Sequence, residues 1–458
     1  MVFSSLLFLF RFMPVAFLVY YLTPKRGKNL VLLILSLVFY SWGEPKYFPI
    51  MIFSILLDYS MGQIIERHRN SKAICRWALA GSLIGNLGVL FFFKYTGFFT
   101  TNLNTLLGTN IPLLELTLPL GISFYTFQTL SYTIDVYRGN VKAERNIIDF
   151  GAFVVLFPQL IAGPIVKYTD VSRELKQRTV NMQDLTEGIT TFVYGLGKKV
   201  LIANNIGALW TEVETLGFSN LSSGLAWLGI LAFTLQIYFD FSGYSQMAIG
   251  LGRMLGFRFP QNFNFPYISR SITEFWRRWH MTLSSWFKEY LYIPLGGNRV
   301  SRGRWYFNMF VVWFATGFWH GADWNFIFWG LYFFFLLVLE KSFLLKRLEK
   351  HKILSRVYAL FFIVFGWVLF AITDLNQMGI FIQKLFVPSS GISWVYYLRN
   401  YTVTFLIGGV LCTPVIKKLL DRAAKLPWLN LIIVLLIFFA SVAYLVDSSY
   451  NPFLYFRF

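Results

Sequence analysis

Apolar residues run along this chain in long blocks, with short polar and basic clusters between them. A helix needs about 20 such residues, within a range of about 17–25, to cross a bilayer. Blocks of that kind lie at 3–22, 29–43, 46–66, 76–93, 116–137, 147–166, 184–207, 221–252, 306–340, 357–373, 401–416 and 428–446. Two of them, 221–252 and 306–340, are too long for one upright crossing, so each is expected to be tilted, kinked or split. The 147–166 block contains "LFPQLIAGP", and Pro158, Gly163 and Pro164 there predict a broken or re-entrant helix lining a protein interior. The pattern predicts an all-α, polytopic membrane protein of about ten to thirteen transmembrane or re-entrant helices.

Lysine and arginine orient the ends of the chain. The clusters Lys25-Arg26-Lys28 and Arg67-Arg69-Lys72-Arg76 are two crossings apart, and loop 95–115 between later blocks has neither residue. A third basic loop spans 341–356 and a fourth 417–425, again two crossings apart. The positive-inside rule places the four basic loops in the cytoplasm, and loop 95–115 and both termini outside it.

Composition agrees with the block pattern: 56% of the 458 residues are hydrophobic and only 14% charged, against about 25% in soluble domains. A soluble enzyme with a membrane tail is excluded. The net charge of +19 does not point to nucleic acid, because the bases sit in short clusters between apolar runs. Cys75 and Cys412 are isolated, so neither a disulfide framework nor a structural zinc site is indicated. Arg11 lies inside the first apolar run and no A-x-A-like cleavage site follows, which predicts a retained helix. Without repeats or a soluble segment, the chain is expected to form one membrane domain over 1–458. In it, helices 1–95 are peripheral, 116–340 is the core and 357–446 the C-terminal helices.

The polar stretch 253–305 contains "FWRRWHMTLSSWFKEYLYIPLGG" (275–297). Ser271 and Glu274 fit a capping box, so a helix is expected to start near Ser271 and to end at Pro294 and Gly296-Gly297. One stripe of that helix carries Trp276, His280, Leu283 and Phe287; the other carries Arg277, Met281, Ser284 and Lys288. Such a helix is expected at the membrane interface, its tryptophans as anchors, with His280 on the aromatic side. His280 is read either as a satisfied core histidine or as a chemical group. His320, in "TGFWHGADWNF", stands beside Gly321, where a ligand can approach closely. Asp323 three residues on is expected to share its helix face and to hold its tautomer. Asp240, an acid within an apolar run, is either a catalytic neighbour or a helix-packing partner.

The chain lacks G-x-S-x-G, Walker A and strand-borne G-x-G-x-x-G patterns, and its four histidines form no cluster, so no metal is expected. What remains is one or two imidazoles as general bases, suited to acyl transfer onto a hydroxyl.

"FWRRWHMTLSSWFKEYLYIPLGGNR" with "TGFWHGADWNFIFWG" resembles the signature of the membrane-bound O-acyltransferase superfamily, more narrowly its alginate O-acetyltransferase branch. Segments 120–139, 157–168, 238–264 and the ending "NPFLYFRF" also match its pattern. The resemblance implies a ring of helices around a central funnel and tunnel, with His320 catalytic and His280 a second essential or supporting residue. It also implies a bacterial inner-membrane location and no tightly bound cofactor. The donor would be a cytoplasmic acyl thioester, commonly acetyl-CoA; an extracytoplasmic SGNH-hydrolase-like partner would complete transfer onto a polysaccharide. Basic residues including Arg277, Arg278 and Arg299 suit the donor's phosphates. Three alternatives stay open: D-alanyl transfer to teichoic acid, a non-enzymatic transporter, and a secretion-complex scaffold.

Overall fold

The computed structural model describes residues 1–114 and 116–447. The closing "NPFLYFRF" at 451–458, and with it the expected side of the C-terminus, lies outside those residues.

In chain order the α-helices begin with α1 (Met13–Leu22), α2 (Lys28–Gly43), α3 (Phe48–Arg67), α4 (Lys72–Leu107) and α5 (Ile122–Arg138). The broken segment follows as α6 (Ile147–Val155) and α7 (Phe157–Leu160), then α8 (Tyr168–Lys176), α9 (Met182–Gly197), α10 (Asn205–Leu216) and α11 (Ser223–Met254). The central motif forms α12 (Ile272–Arg278) and α13 (Met281–Phe287), followed by α14 (Arg302–His320), α15 (Trp324–Leu339) and α16 (Leu345–Leu348). Last come α17 (Lys352–Ala371), α18 (Leu375–Phe386), α19 (Trp394–Leu411), α20 (Pro414–Ala423) and α21 (Pro427–Asp447).

Among the described residues six helices are long and apolar enough to cross a membrane: α3, α4, α11, the run Trp324–Leu348, α17 and α21. The α19–α20 pair, bent by 76°, makes a seventh if it is one span. The other expected blocks are present as shorter or interrupted helices. α11 is a single helix of 32 residues, and 78% of its most apolar window is buried, which explains why it is apolar on every face. The 306–340 block splits at Gly321–Asp323 into α14 and α15. The expected loop 95–115 is shorter than its polarity suggests: α4 continues through its threonines and asparagines and stops at Gly108, in the left-handed region at φ +64°.

The helices cluster into two compact units, residues 1–192 with 247–260, and residues 193–246 with 261–458. In the first, fully buried Asp58 on α3 accepts hydrogen bonds from Ser82 and Asn86 on α4 and Thr133 on α5. Polar bonds of this kind join helices where lipid supplies no hydrophobic drive. The chain breaks at Leu156, between α6 and α7, and both pieces are buried in protein, as the two prolines and the glycine of "LFPQLIAGP" require.

In the second unit, Lys199 and Asp240 form a buried ion pair at 2.6 Å. Helices α14 and α15 meet through Gly317 and Gly330; a Cβ on Gly317 would strike the carbonyl of Phe326, and one on Gly330 that of Trp313. This small-residue contact places the end of α14, with His320, against α15.

Candidate active site

The central motif starts as its sequence requires. Ser271 Oγ accepts from the Glu274 amide at 2.9 Å and caps α12. A second cap comes from 68 residues away: buried Glu340 accepts from the Ile272 amide (2.6 Å), the Thr273 amide (2.8 Å) and Thr273 Oγ1 (2.7 Å). A carboxylate on these amides compensates the positive end of the helix.

The expected single amphipathic helix is not formed. It breaks at Trp279–His280, and His280 takes φ 44°, ψ 53°. Among the described residues only Phe265 and His280 have positive φ without being glycine. Residues 262–264 hold the break open: the Asn264 amide donates to Arg278 O and the Met281 amide to Asn262 O, both at 2.9 Å. Tertiary hydrogen bonds thus override a local pattern that favours continuous helix. The motif's tryptophans are core residues, not interface anchors: Trp276, Trp279 and Trp286 are all buried. Trp276 packs edge-on against Trp313 and Trp329 with centroids 4.8 and 5.5 Å apart.

His280 is 1% exposed and lines a mostly apolar cavity of about 370 Å³ with Trp276, Leu283, Phe287, Trp313 and Thr316. Its Nδ1 lies 3.1 Å from Asn262 Oδ1. Phe241 meets its ring edge-on at 4.7 Å. Burial pushes the imidazole down to about 3, which keeps it neutral and able to accept a proton.

A second cavity of about 1070 Å³ adjoins the first, the two sharing Arg277, Lys288, Tyr292 and Lys341 as walls. Arg299 and Arg302 complete its cationic lining, and among the described residues no acidic side chain lines either cavity. All five cations are exposed. The turn at Gly296 (φ +105°) and Gly297 (φ +59°) forms part of this wall and is tied to α14 by Asn308 Nδ2 donating to Gly297 O at 3.0 Å.

Of the three arginines expected to meet donor phosphates, Arg277 and Arg299 therefore share a chamber and Arg278 does not. Arg278 donates to Glu274 Oε1 at 2.9 Å and to Asn264 O at 3.1 Å, and it lines neither cavity. The i, i+4 spacing to Glu274 and the break two residues later turn it away from its neighbour's role.

His320, 7% exposed, closes α14 among aromatic rings: Trp319 at 5.0 Å, Trp329 at 4.9 Å and Phe370 at 5.4 Å. It is not among the side chains lining these two cavities, but Trp319 also touches His280, at 6.2 Å. Asp323 does not share its helix. Gly321 ends α14 in extended backbone, and Asp323 instead caps α15, accepting from the Trp324 amide at 2.7 Å. Asp240 lies beside Phe241, paired with Lys199, which favours the packing reading over the catalytic one. Asn262, Glu340 and Lys341 enter the site through contacts or shared walls between elements remote in sequence, which spacing along the chain does not display. Among the described residues no group of His, Cys, Asp and Glu could hold a metal ion.

Residues 142–382, which contain both histidines and both cavities, match the model of the membrane-bound O-acyltransferase family. A probable alginate O-acetylase of Azotobacter vinelandii is 39% identical over the full length of both chains. The chain belongs to the membrane-bound O-acyltransferase family. A peptidoglycan O-acetyltransferase of Helicobacter pylori is 37% identical over 86% of this chain and 81% of its own. A teichoic acid D-alanyltransferase of Streptococcus thermophilus is 30% identical over 50% of this chain and 58% of its own. The protein is thus a multi-pass membrane O-acyltransferase, and the transporter and scaffold alternatives fall away.

Proposed function

We propose that this acyltransferase takes an acetyl group from a cytoplasmic thioester, acetyl-CoA or a similar donor, and passes it toward hydroxyls of an extracytoplasmic polysaccharide. The observation that carries this reading is the pair of adjoining cavities: a broad chamber lined by five cations shares four wall residues with a smaller, mostly apolar one that His280 lines. Polyanionic donor phosphates suit the first chamber, and a thioester arm with a small acyl group suits the second. The acceptor oxygen attacks the thioester carbonyl, the C–S bond breaks, and the thiolate leaves. A neutral imidazole takes the hydroxyl proton as the new C–O bond forms and returns it to the thiolate. His280 is the ring on the chamber wall; His320, reached across Trp319, is the second imidazole of the site.

Acetyl is favoured over D-alanyl by the same walls. The ammonium of a D-alanyl group calls for a carboxylate, whereas the inner cavity has none and carries Arg277, Lys288 and Lys341 at its mouth. The protein acts in a bacterial inner membrane with its basic loops in the cytoplasm, and an SGNH-hydrolase-like partner outside completes transfer to the glycan.

The test is purified protein in lipid nanodiscs with labelled acetyl-CoA, in parallel with His280→Gln and His320→Ala, reading transfer and melting temperature. Loss of transfer by about 10²–10⁴-fold in both variants, with melting retained, is the expected result. Full transfer by both variants, or charging only by a D-alanyl carrier, would overturn the reading.

A further inference from the structure

The two cavities differ in what their walls carry, and we infer that Trp305 is the platform for the adenine ring of the donor, which is thereby recognised as a free nucleotide thioester. Arg277, Lys288, Tyr292 and Lys341 stand on the walls of both cavities, whereas Arg299, Arg302 and Trp305 line the larger one alone. From the inner cavity into the chamber the order is apolar surface, then three cations with a tyrosine, then two arginines with a tryptophan. A coenzyme A thioester has the same order: an acyl group on an apolar arm, a diphosphate, then a ribose phosphate and a purine. The chamber, about 1070 Å³, matches the upper end of the range of about 300–1,000 Å³ for small-molecule and cofactor sites. None of its five cations forms a salt bridge among the described residues, so all are available to phosphate.

Trp305 is held in place before any ligand arrives. Its amide donates to Ser301 O at 2.9 Å in the first turn of α14, and its Nε1 donates to Tyr292 Oη at 3.1 Å. Its ring packs on Tyr306 with centroids 5.0 Å apart. The half-buried indole therefore lines the chamber in a fixed orientation with its polar atom satisfied, which lowers the ordering cost of stacking a base on it. Arg302, three residues earlier, shares its side of α14, so a guanidinium stands beside the ring where a ribose phosphate would lie next to a stacked base. Arg304 between them is turned away: it lies over Phe307 at 5.2 Å and lines neither cavity. A pantetheine arm delivered by a carrier protein has a single phosphate and no purine, and would leave Arg299, Arg302 and Trp305 without a matching group.

The platform rests on the thioester donor proposed above, and the probes separate the two. Binding of acetyl-CoA and of acetyl-phosphopantetheine, which lacks the nucleotide, is measured on the protein in nanodiscs and on Trp305→Ala, Trp305→Phe and Arg304→Gln, with melting temperatures alongside. Trp305→Ala removes one base–aromatic stack and should weaken acetyl-CoA by about tenfold or more, leaving acetyl-phosphopantetheine within about twofold of wild type. Trp305→Phe keeps a stacking face and should retain most of the affinity, and Arg304→Gln should bind as wild type does. If Trp305→Ala does not fold, competition on the wild type decides: adenosine bisphosphate should displace acetyl-CoA at a concentration about tenfold below that of base-free ribose bisphosphate. Unchanged acetyl-CoA binding in Trp305→Ala overturns the platform, and a lowered melting temperature with it marks Trp305 as a membrane anchor. Equal weakening of both probes, or equal competition by the two bisphosphates, overturns it as well. A wild type that binds no acetyl-CoA but accepts acetyl from a carrier protein overturns the donor reading beneath it.

Discussion

Arg277 and Arg278 are adjacent arginines of the same charge, and their surroundings predict opposite consequences for donor binding. Arg277 lines both cavities with no carboxylate among their walls, whereas Arg278 is tied to Glu274 and to Asn264 O. A charge-assisted bond from arginine to phosphate contributes about 1.5–3 kcal/mol. At about 1.4 kcal/mol per decade, Arg277→Gln should raise the Kd for acetyl-CoA by about 10–100-fold. Arg278→Gln removes an i, i+4 pair worth about 0.3–0.5 kcal/mol and one bond to the backbone, so it should lower stability slightly. Its Kd should stay within about twofold of wild type. The assay is binding of labelled acetyl-CoA to each purified variant at low and high salt. Salt should narrow the gap between wild type and Arg277→Gln, because the chamber's cations are exposed and screened. Equal weakening in the two variants would refute the assignment of the chamber, as would unchanged binding in Arg277→Gln.

Glu340→Ala removes three hydrogen bonds from the start of α12 and should cost about 1.5–3 kcal/mol or more, read as a lower melting temperature with reduced transfer. Lys199→Met or Asp240→Leu alone leaves a buried charge uncompensated and should cost about 3–5 kcal/mol. The Lys199→Met/Asp240→Leu double variant should melt above either single one; if it melts below both, the pair is more than packing. Because burial holds His280 at about 3, against an ordinary value near 6.5, the unfolded chain binds a proton there before the folded one does. Its contribution to stability is complete above about pH 6.5 and is lost as the pH falls toward 3, by at most about 1.4 kcal/mol per pH unit, and His280→Gln should flatten that slope.

The hydrophobic blocks were enough to locate α3, α11, α17 and α21 and the break within "LFPQLIAGP", because each of these follows from apolar length or from proline and glycine in the chain. The end of α4 was not legible, since threonine and asparagine neither stop a helix nor mark a loop by themselves, and Gly108 does. The break at His280 was equally hidden: residues 272–287 have good helical spacing, and what divides them is a pair of hydrogen bonds to residues 262–264. Pairing in sequence also misled at Asp323, three residues from His320 but across the end of α14.

Adjacent residues of this site have unlike surroundings. In an unbroken helix, Arg277 and His280 would be one turn apart on neighbouring faces, and the ring would lie in a stripe with Trp276 and Leu283. With the backbone reversed at His280, the ring still lines one cavity with Trp276, Arg277 and Leu283, while Arg278, inside α12, pairs with Glu274 at i, i+4. A left-handed non-glycine residue costs about 1–3 kcal/mol. Two backbone hydrogen bonds and the Asn262–His280–Thr282 cluster offset that cost. A glycine at position 280 would relieve the strain but remove the imidazole. His280→Gly should therefore melt no lower than His280→Ala and transfer no acetyl; if it melts lower than His280→Ala, the strained backbone is not the dominant local cost.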